Sequence, residues 1–294
     1  MIDNILSLKQ HNAVAFTVTA SDSLKLFKCS DVHFDSLHCD RKLLKAQLDW
    51  AVSEGRMIEI NGDWFDIMGC HKDPRSKAAD IDPAYIKPGR SYLDLVIEDS
   101  YEFLKPYAKN ILIMSLGNHE CSALKYRDTN PLARLVGLLR QDNPDIWEGD
   151  YEGYIHFKLK HENYETTRSM RSFLTRFHHG FGGNAPRSKG MLHSQIIAMQ
   201  YPQVDLYQSG HTHQKFHDPS NVREMVTPSG RIYESTMHYL KLGSFKKKVT
   251  GGGFEVMRGF NRTRLGGWFC DLQFRRTEQC TFIDATFKEA LPLE

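Results

Sequence analysis

The sequence predicts an α/β protein. Three observations carry that expectation. Strand-like and helix-like segments alternate β-α-β-α-β between residues 24 and 115. Short clusters of Asp, Asn and His follow directly on five of the strand-like runs. Beyond residue 200 the chain is mostly strand-like runs separated by Gly-rich turns. In open α/β sheets ligands sit beyond the carboxyl ends of strands, so polar clusters at five such ends point to one site.

The elements follow in order. Residues 24–29 read as a strand ending at Ser30, just before Asp31. Residues 41–54 place Leu43, Leu44, Leu48, Ala51 and Val52 at helical spacing, with Asp40 as N-cap and Gly55 as stop. A strand over 57–60 ends at Asn61-Gly62-Asp63, and three prolines and scattered charge make 67–90 a loop insertion. A helix over 92–107 starts from Ser91, with Asp94 completing the cap. The apolar run 111–115 is a third strand, ending at Leu116-Gly117-Asn118-His119, and Pro131 opens a helix to residue 140. Strands over 154–159 and 172–177 follow, the second ending at His178-His179-Gly180. A helix over 191–200 stops before Pro202, and a strand over 204–208 leads to Gly210-His211-Thr212-His213. Further strands are expected at 232–233, 238–242, 268–274 and 281–286. No linker or repeat breaks the chain, so residues 1–294 read as one domain with a basic, β-rich part at 231–294.

Composition narrows the class. Of 294 residues, 40% are hydrophobic and 25% charged, enough for a sizeable core. The net charge of +2 is uneven. Residues 244–276 hold eight Lys/Arg against two Asp/Glu, and residues 156–190 hold seven against two. Such stretches suit an anionic partner or solvated faces. Six cysteines without a CxxC pair argue against a disulfide framework or a zinc finger. With no signal-like start and no membrane-length apolar run, a cytoplasmic setting is expected.

The clusters have ligand chemistry. Asp31 and His33 stand two apart, as do His211 and His213, and on an extended segment each pair would share a face. Asp63 adds a carboxylate able to bridge, Asn118 an amide oxygen, and the pair His178/His179 an imidazole. A mixed Asp/Asn/His set suits Mn²⁺, Fe, Zn²⁺ or Ni²⁺, Mn²⁺ first, and is too rich in imidazole for Ca²⁺ or Mg²⁺. Seven ligands exceed the need of one ion and suit two, the arrangement used for in-line displacement at phosphorus. His119, beside Asn118, is free to assist the reaction, and Asp66 is a natural partner for its far nitrogen.

Asp31-Val-His33, Gly62-Asp63-Trp64-Phe65-Asp66, Gly117-Asn118-His119-Glu120, His179-Gly180 and Gly210-His211-Thr212-His213 resemble the five ordered motifs of calcineurin-like metallophosphoesterases. The resemblance implies a two-sheet β-sandwich flanked by helices, with metals at the C-terminal strand ends. It implies that Asp31, His33 and His213 hold one metal, that Asn118, the fourth-motif histidine and His211 hold the other, and that Asp63 bridges them. That histidine usually stands directly before Gly, which favours His179. His119 and Asp66 would form the catalytic pair. The protein-phosphatase branch follows its second motif with Arg-Gly, whereas Ile67-Met68 follow here, which speaks against that activity. The motif forms look more like the phosphodiesterase and nuclease branches, including SbcD-like nucleases.

A nucleic-acid phosphodiesterase is therefore the first expectation, with DNA or RNA as substrate. A hydrolase of small or lipid-linked phosphates, with 67–90 as a lid, is the alternative, and a non-catalytic scaffold the third. Phe260, Trp268, Phe269 and Phe274, interleaved with Arg258, Arg262, Arg264, Arg275 and Arg276, fit a base-stacking face or a sheet with aromatics inward. Trp64 and Phe65 read as core or pocket wall.

Overall fold

The computed structural model describes residues 2–8, 12–20, 23–67, 81–161, 170–182, 191–226, 229–247, 263–276 and 281–290. Thirteen strands and five α-helices are described: β1 (Ile2–Leu8), β2 (Ala13–Ala20), β3 (Ser23–Cys29), α1 (Arg41–Ser53), β4 (Met57–Asn61), α2 (Tyr92–Leu104), β5 (Ile111–Ser115), α3 (Asn118–Arg127), α4 (Pro131–Leu139), β6 (Trp147–Gly149), β7 (Glu152–His161), β8 (Arg171–His178), α5 (Met191–Gln200), β9 (Leu206–Ser209), β10 (Lys215–Val226), β11 (Ile232–Leu242), β12 (Trp268–Arg276) and β13 (Thr281–Glu289).

They build two sheets. One has the order β1-β2-β7-β8-β9-β11-β10, the other β13-β12-β3-β4-β5-β6. Alternation along each strand divides the apolar side chains between layers. In β3, Leu24 and Leu26 face the opposite sheet, where Phe16, Phe157, Phe177 and Leu240 join them in one core. Phe27 and Cys29 face α1, α2 and α4, in a core with Leu44, Leu48, Val96, Leu135 and Leu139. On the far side α5 packs Ile197 over Tyr207 and Tyr239. The result is a two-sheet sandwich covered by helices on both outer faces.

Topology sets the position of the polar clusters. β3, β4 and β5 are adjacent and parallel, so Asp31, Asp63 and Asn118 leave one rim of the six-stranded sheet. β8 and β9 are also adjacent and parallel, pairing His178 with Ser209, so His179 and His211 leave the rim of the other.

Several expectations change. Asp40 caps α1 as predicted, accepting from the Leu43 N–H. The helix at Tyr92 ends at Leu104 rather than 107 and continues as a 3₁₀ turn over Lys105–Asn110, because Pro106 has no N–H to donate. Ser91 is its N-cap by position, but its side chain makes no capping hydrogen bond. The strand expected at 204–208 is β9, two residues later, and the two runs at 232–233 and 238–242 are one strand, β11. The sequence reading did not include β1, β2, β6, β10 or α3. β2 had a legible signal, since Val14, Phe16 and Val18 alternate and all three are buried. Of the insertion 67–90, residues 68–80 lie outside the described residues; its far end is anchored by the Ser36–Ile81 bridge and by the Tyr85 hydroxyl, which donates to Asp99 at 2.5 Å.

No described helix is long and apolar enough to cross a membrane. Trp268 and Phe269, expected as either stacking platforms or core, are buried in the two cores. Two exposed arginines of that stretch are paired, Arg275 3.5 Å from Asp284 and Arg264 3.8 Å from Glu289. Phe260, Arg258 and Arg262 lie outside the described residues. Trp64 and Phe65 are core residues, fully buried, with the Trp64 indole donating to Ser100 Oγ.

A polar layer lies between the sheets beneath the rim. Lys28 Nζ stands 2.5 Å from Glu59 Oε2 and donates to Gln208 Oε1 at 3.0 Å, with both charges essentially inaccessible. Breaking such a pair strands one buried charge, whereas removing both leaves none. Lys28→Met is expected to cost about 3–5 kcal/mol in urea denaturation, and Lys28→Met with Glu59→Leu distinctly less.

Candidate metal centre

Three of the five clusters are held in a shape that an ordinary strand would not give. Asp31, His33, Asp63, His211 and His213 all have φ between +50° and +67°, in the left-handed region. The Asp31/His33 and His211/His213 pairs therefore do not converge through strand alternation, as the extended reading supposed. Alternate left-handed residues turn the chain beyond the strand ends, so that Asp31 and His33 meet in one group while His211 and His213 go to two different groups. Asp31 N and His33 N donate to the carbonyls of Gly62 and Asp63, both at 3.1 Å, which ties the two loops together.

Close approach also fixes two glycines. A Cβ at Gly117 would overlap Asp63, and one at Gly210 would overlap the Asp31 carboxylate. Glu120, the last residue of the third cluster, accepts from the N–H groups of Asp63, Phe65 and Gly117 at 3.1, 3.0 and 2.9 Å. It caps α3 and fixes the Asp63 loop together. Burial and the nearby Asp63 carboxylate push Glu120 up to about 8, while the Phe65 N–H pulls the other way.

The structure brings the sequence-predicted residues into contiguous groups. Asp31, His33 and His213 form one: the two Nε2 atoms are 3.1 Å apart, and Asp31 Oδ1 is 3.4 Å from His213 and 4.0 Å from His33. Asp63, His179 and His211 form another. His179 Nε2 is 3.1 Å from Asp63 Oδ2 and 3.1 Å from Asn118 Oδ1, and His211 Nδ1 is 2.7 Å from Asn118 Oδ1.

The ring tautomers explain why these distances matter. A carbonyl or carboxylate oxygen can only accept, so the ring nitrogen facing it carries the proton. His179 Nδ1 faces the Asn61 carbonyl at 3.1 Å, His211 Nε2 the Gly182 carbonyl at 3.1 Å, and His33 Nδ1 the Asp66 carboxylate at 2.8 Å. The inward nitrogen of a neutral ring so held offers a lone pair toward the oxygens of Asp63 and Asn118 or toward a second imidazole, and at His179 a second proton fills that gap. Acceptors converging on acceptors need a cation between them, a proton or a metal ion. Imidazoles held at the far nitrogen by such oxygens are the arrangement of metal-ligating histidines.

Charge tells the same story. Burial alone would lower His179, but Asp63 and Asp31 beside it raise it to about 10. Burial opposes Asp31's ionisation, yet His213 and His179 hold its carboxyl down at about 2. Burial lowers His33 to about 4 against the pull of Asp66.

Three details extend the motif reading. His178 turns to the opposite side: its Nδ1 accepts from the Gly180 N–H at 2.8 Å and its Nε2 is 3.7 Å from Glu152. It stands outside the group that contains His179. Asp66 meets His119 through its backbone carbonyl, 2.6 Å from Nδ1, and its carboxylate is 3.8 Å away, engaged by His33 instead. Lys246, which belongs to no motif, donates to both Asp66 oxygens at 2.9 and 3.0 Å. His33, Asp66 and His119 are close enough to form a third possible ion group. The ammonium seated on Asp66 already supplies the positive charge there, which leaves the first two groups as the better ion sites. Of the histidines that fit no ligand pattern, His217 and His238 hydrogen-bond each other at 2.9 Å, and His71 lies outside the described residues.

No protein-family model matches the chain. No curated protein matches it either. Among solved structures it is similar to a predicted phosphoesterase from Streptococcus pneumoniae, with 9% identity, 92% of each chain covered and a TM-score of 0.32. It is similar to Vacuolar Protein Sorting 29 from Cryptosporidium parvum, with 12% identity, 92% of this chain and 100% of the other covered, and a TM-score of 0.36. A metallophosphoesterase from Sphaerobacter thermophilus aligns at 15% identity over 85% of this chain and 84% of its own, with a TM-score of 0.30. At these identities and scores, none of the three decides what this chain does.

Two outcomes are expected. His179→Ala should weaken Mn²⁺ binding in isothermal titration by about 10-fold or more, whereas His178→Ala should leave it near wild type. His179, raised to about 10, keeps its second proton at neutral pH, and an ion must displace that proton. Mn²⁺ affinity should therefore rise from about pH 7 to about pH 9, with proton release visible as a dependence of the binding heat on buffer.

Proposed function

We propose that the chain is a calcineurin-like, metal-dependent phosphoester hydrolase with two divalent ions, and that it acts on phosphodiesters. The observation that carries this reading is the convergence of inward-facing acceptors in two groups, Asp31/His33/His213 and Asp63/His179/His211, joined by Asn118. Asp31, His33 and His213 would hold one ion, Asn118, His179 and His211 the other, and Asp63 would lie between them. The donor set suits Mn²⁺ first, with Fe, Zn²⁺ or Ni²⁺ as alternatives. When bound, such a pair supplies Lewis acidity to the phosphoryl oxygens and lowers the pKa of a water molecule.

The protein's own groups do the rest. His119 donates from Nδ1 to the Asp66 carbonyl, so its Nε2 is the free end, pointing into the site 3.8 Å from Asp63 Oδ2. Protonated there, it can donate to the oxygen of the departing group as the ester bond breaks. Its backbone N–H donates to Asp63 Oδ1 at 2.9 Å, which ties the acid to the central carboxylate. The wall of Trp64, Phe65 and Phe34 excludes water from beneath.

Nucleic acid remains the first substrate class to test, supported by the basic composition of 244–276 and 156–190. That support is narrower than the sequence alone suggests, because Trp268 and Phe269 are buried and Lys246 and Lys247 are paired with Asp66 and Asp40. A small or lipid-linked phosphate substrate, with 67–90 forming part of the pocket, is the second reading. The Ser36–Ile81 bridge, which ties the described end of that segment beside the Asp31 loop, favours it.

The test is hydrolysis of bis-p-nitrophenyl phosphate beside labelled single- and double-stranded DNA and RNA, with Mn²⁺. Wild type should turn over the small diester, and His119→Ala should lower kcat by about 10²-fold or more. Cleavage of a polymer by wild type alone supports the nucleic-acid substrate; turnover of the small diester without any polymer cleavage favours the second reading. A metal-loaded protein inert on every phosphoester sinks the proposal.

A further inference from the structure

We propose that Lys246 is a positioning residue of the metal centre: its ammonium sets the Asp66 carboxylate, and through it the orientation of His33. The inference rests on the metal-centre reading above. Lys246 Nζ lies 2.9 and 3.0 Å from the two oxygens of Asp66, so it fixes the plane of the carboxylate as well as its place. The same Oδ1 is 2.8 Å from His33 Nδ1. The chain Lys246–Asp66–His33 thus ends at an inward Nε2 that faces His213 and Asp31.

Asp66 needs a cation on this side. Its own N–H donates to the Asp35 carboxylate at 2.6 Å, and Asp35 also accepts from Ile67 N and the Tyr92 hydroxyl. Two carboxylates from adjoining loops, one after β3 and one after β4, are thus buried side by side, and Lys246 supplies the only ammonium on either of them among the described residues. Without it, the Asp66 carboxylate would be free to rotate toward another donor and release the His33 ring.

The backbone carrying Lys246 is built for this contact. Phe245 N and Ser244 Oγ donate to the Asp31 carbonyl at 3.1 and 2.8 Å, and Lys246 N donates to Ser244 Oγ at 3.0 Å. Asp40 N donates to the Phe245 carbonyl at 2.8 Å, and Lys246 bridges to Cys39. The segment is therefore strapped to the same loop that presents Asp31 and His33. Its neighbour Lys247 differs: it is 58% exposed and pairs with Asp40 at 2.9 Å, away from these residues. That makes it an internal control for the charge of the basic stretch.

The experiment is Mn²⁺ titration calorimetry of wild type, Lys246→Met, Lys246→Arg and Lys247→Met, with thermal melts to confirm folding and bis-p-nitrophenyl phosphate kinetics alongside. Lys246→Met should weaken Mn²⁺ binding by about 10-fold or more, Lys246→Arg should recover most of it, and Lys247→Met should match wild type. In kinetics the Met variant should lose kcat at saturating Mn²⁺ with little change in KM. Should Lys246→Met not fold, Lys246→Gln is scored in its place. Wild-type affinity in the Met or Gln variant overturns the proposal, as does an equal loss in Lys247→Met. Tight Mn²⁺ binding without any phosphoester turnover would sink the assigned activity, while the affinity comparison still decides the role of Lys246. Failure of wild type to bind Mn²⁺ sinks both.

Discussion

Everything at this site depends on acceptors being made to face acceptors. The inward nitrogens of His33, His179, His211 and His213 meet one another, the carboxylates of Asp31 and Asp63, and the Asn118 oxygen. Left in a protein interior without a cation, such groups repel and lose the hydrogen bonds that water would give them. They persist here because the rings of His33, His179 and His211 each have at the far nitrogen an oxygen that belongs to the scaffold. The geometry is imposed from outside the site inward.

The scaffold must be stiff to impose it. Five of the candidate ligands occupy the left-handed region, a conformation that costs on the order of 1 kcal/mol or more for residues with a Cβ. The cost is met by a frame of parallel strands buried on both faces, which leaves the loops at their ends little freedom. Gly117 and Gly210 let neighbouring loops touch where any side chain would overlap a carboxylate. Glu120 then gathers three backbone N–H groups from two of those loops and locks their relative position.

Beneath the rim the interior is polar in a controlled way. Lys28, Glu59 and Gln208 join the two sheets, Asn61 donates to the His178 carbonyl at 3.3 Å, and Ser115 Oγ donates to Asn61 Oδ1 at 3.2 Å. This layer makes the register between sheets specific, since sliding one sheet past the other would strand buried charges and donors. Register between sheets is what brings Asp31 from one rim within hydrogen-bond distance of the His211 N–H from the other. The same constraint that holds the sandwich together therefore assembles the centre.

How much of this was legible varied with the range of the interaction involved. Asp31, His33, Asp63, Asn118, the pair His178/His179, His211 and His213 could be named from residue type and from their places after strand-like runs, because ligand chemistry and strand ends are local properties. Local too was the cap at Asp40 and the helix it starts. The choice between His178 and His179 depended on which side of β8 each ring leaves, and that is set by the pairing of β8 with β9. The direction of Trp268 and Phe269 depended on what packs over each face of β12. Lys246 lies 33 residues beyond His213, and only the strap to the Asp31 loop brings it to Asp66. The sequence by itself determined which atoms were available to bind and in what order they occur. The tertiary structure decided which of them converge, in which tautomer and against which counter-charge, because those depend on strand register and contacts between distant segments that no local pattern encodes.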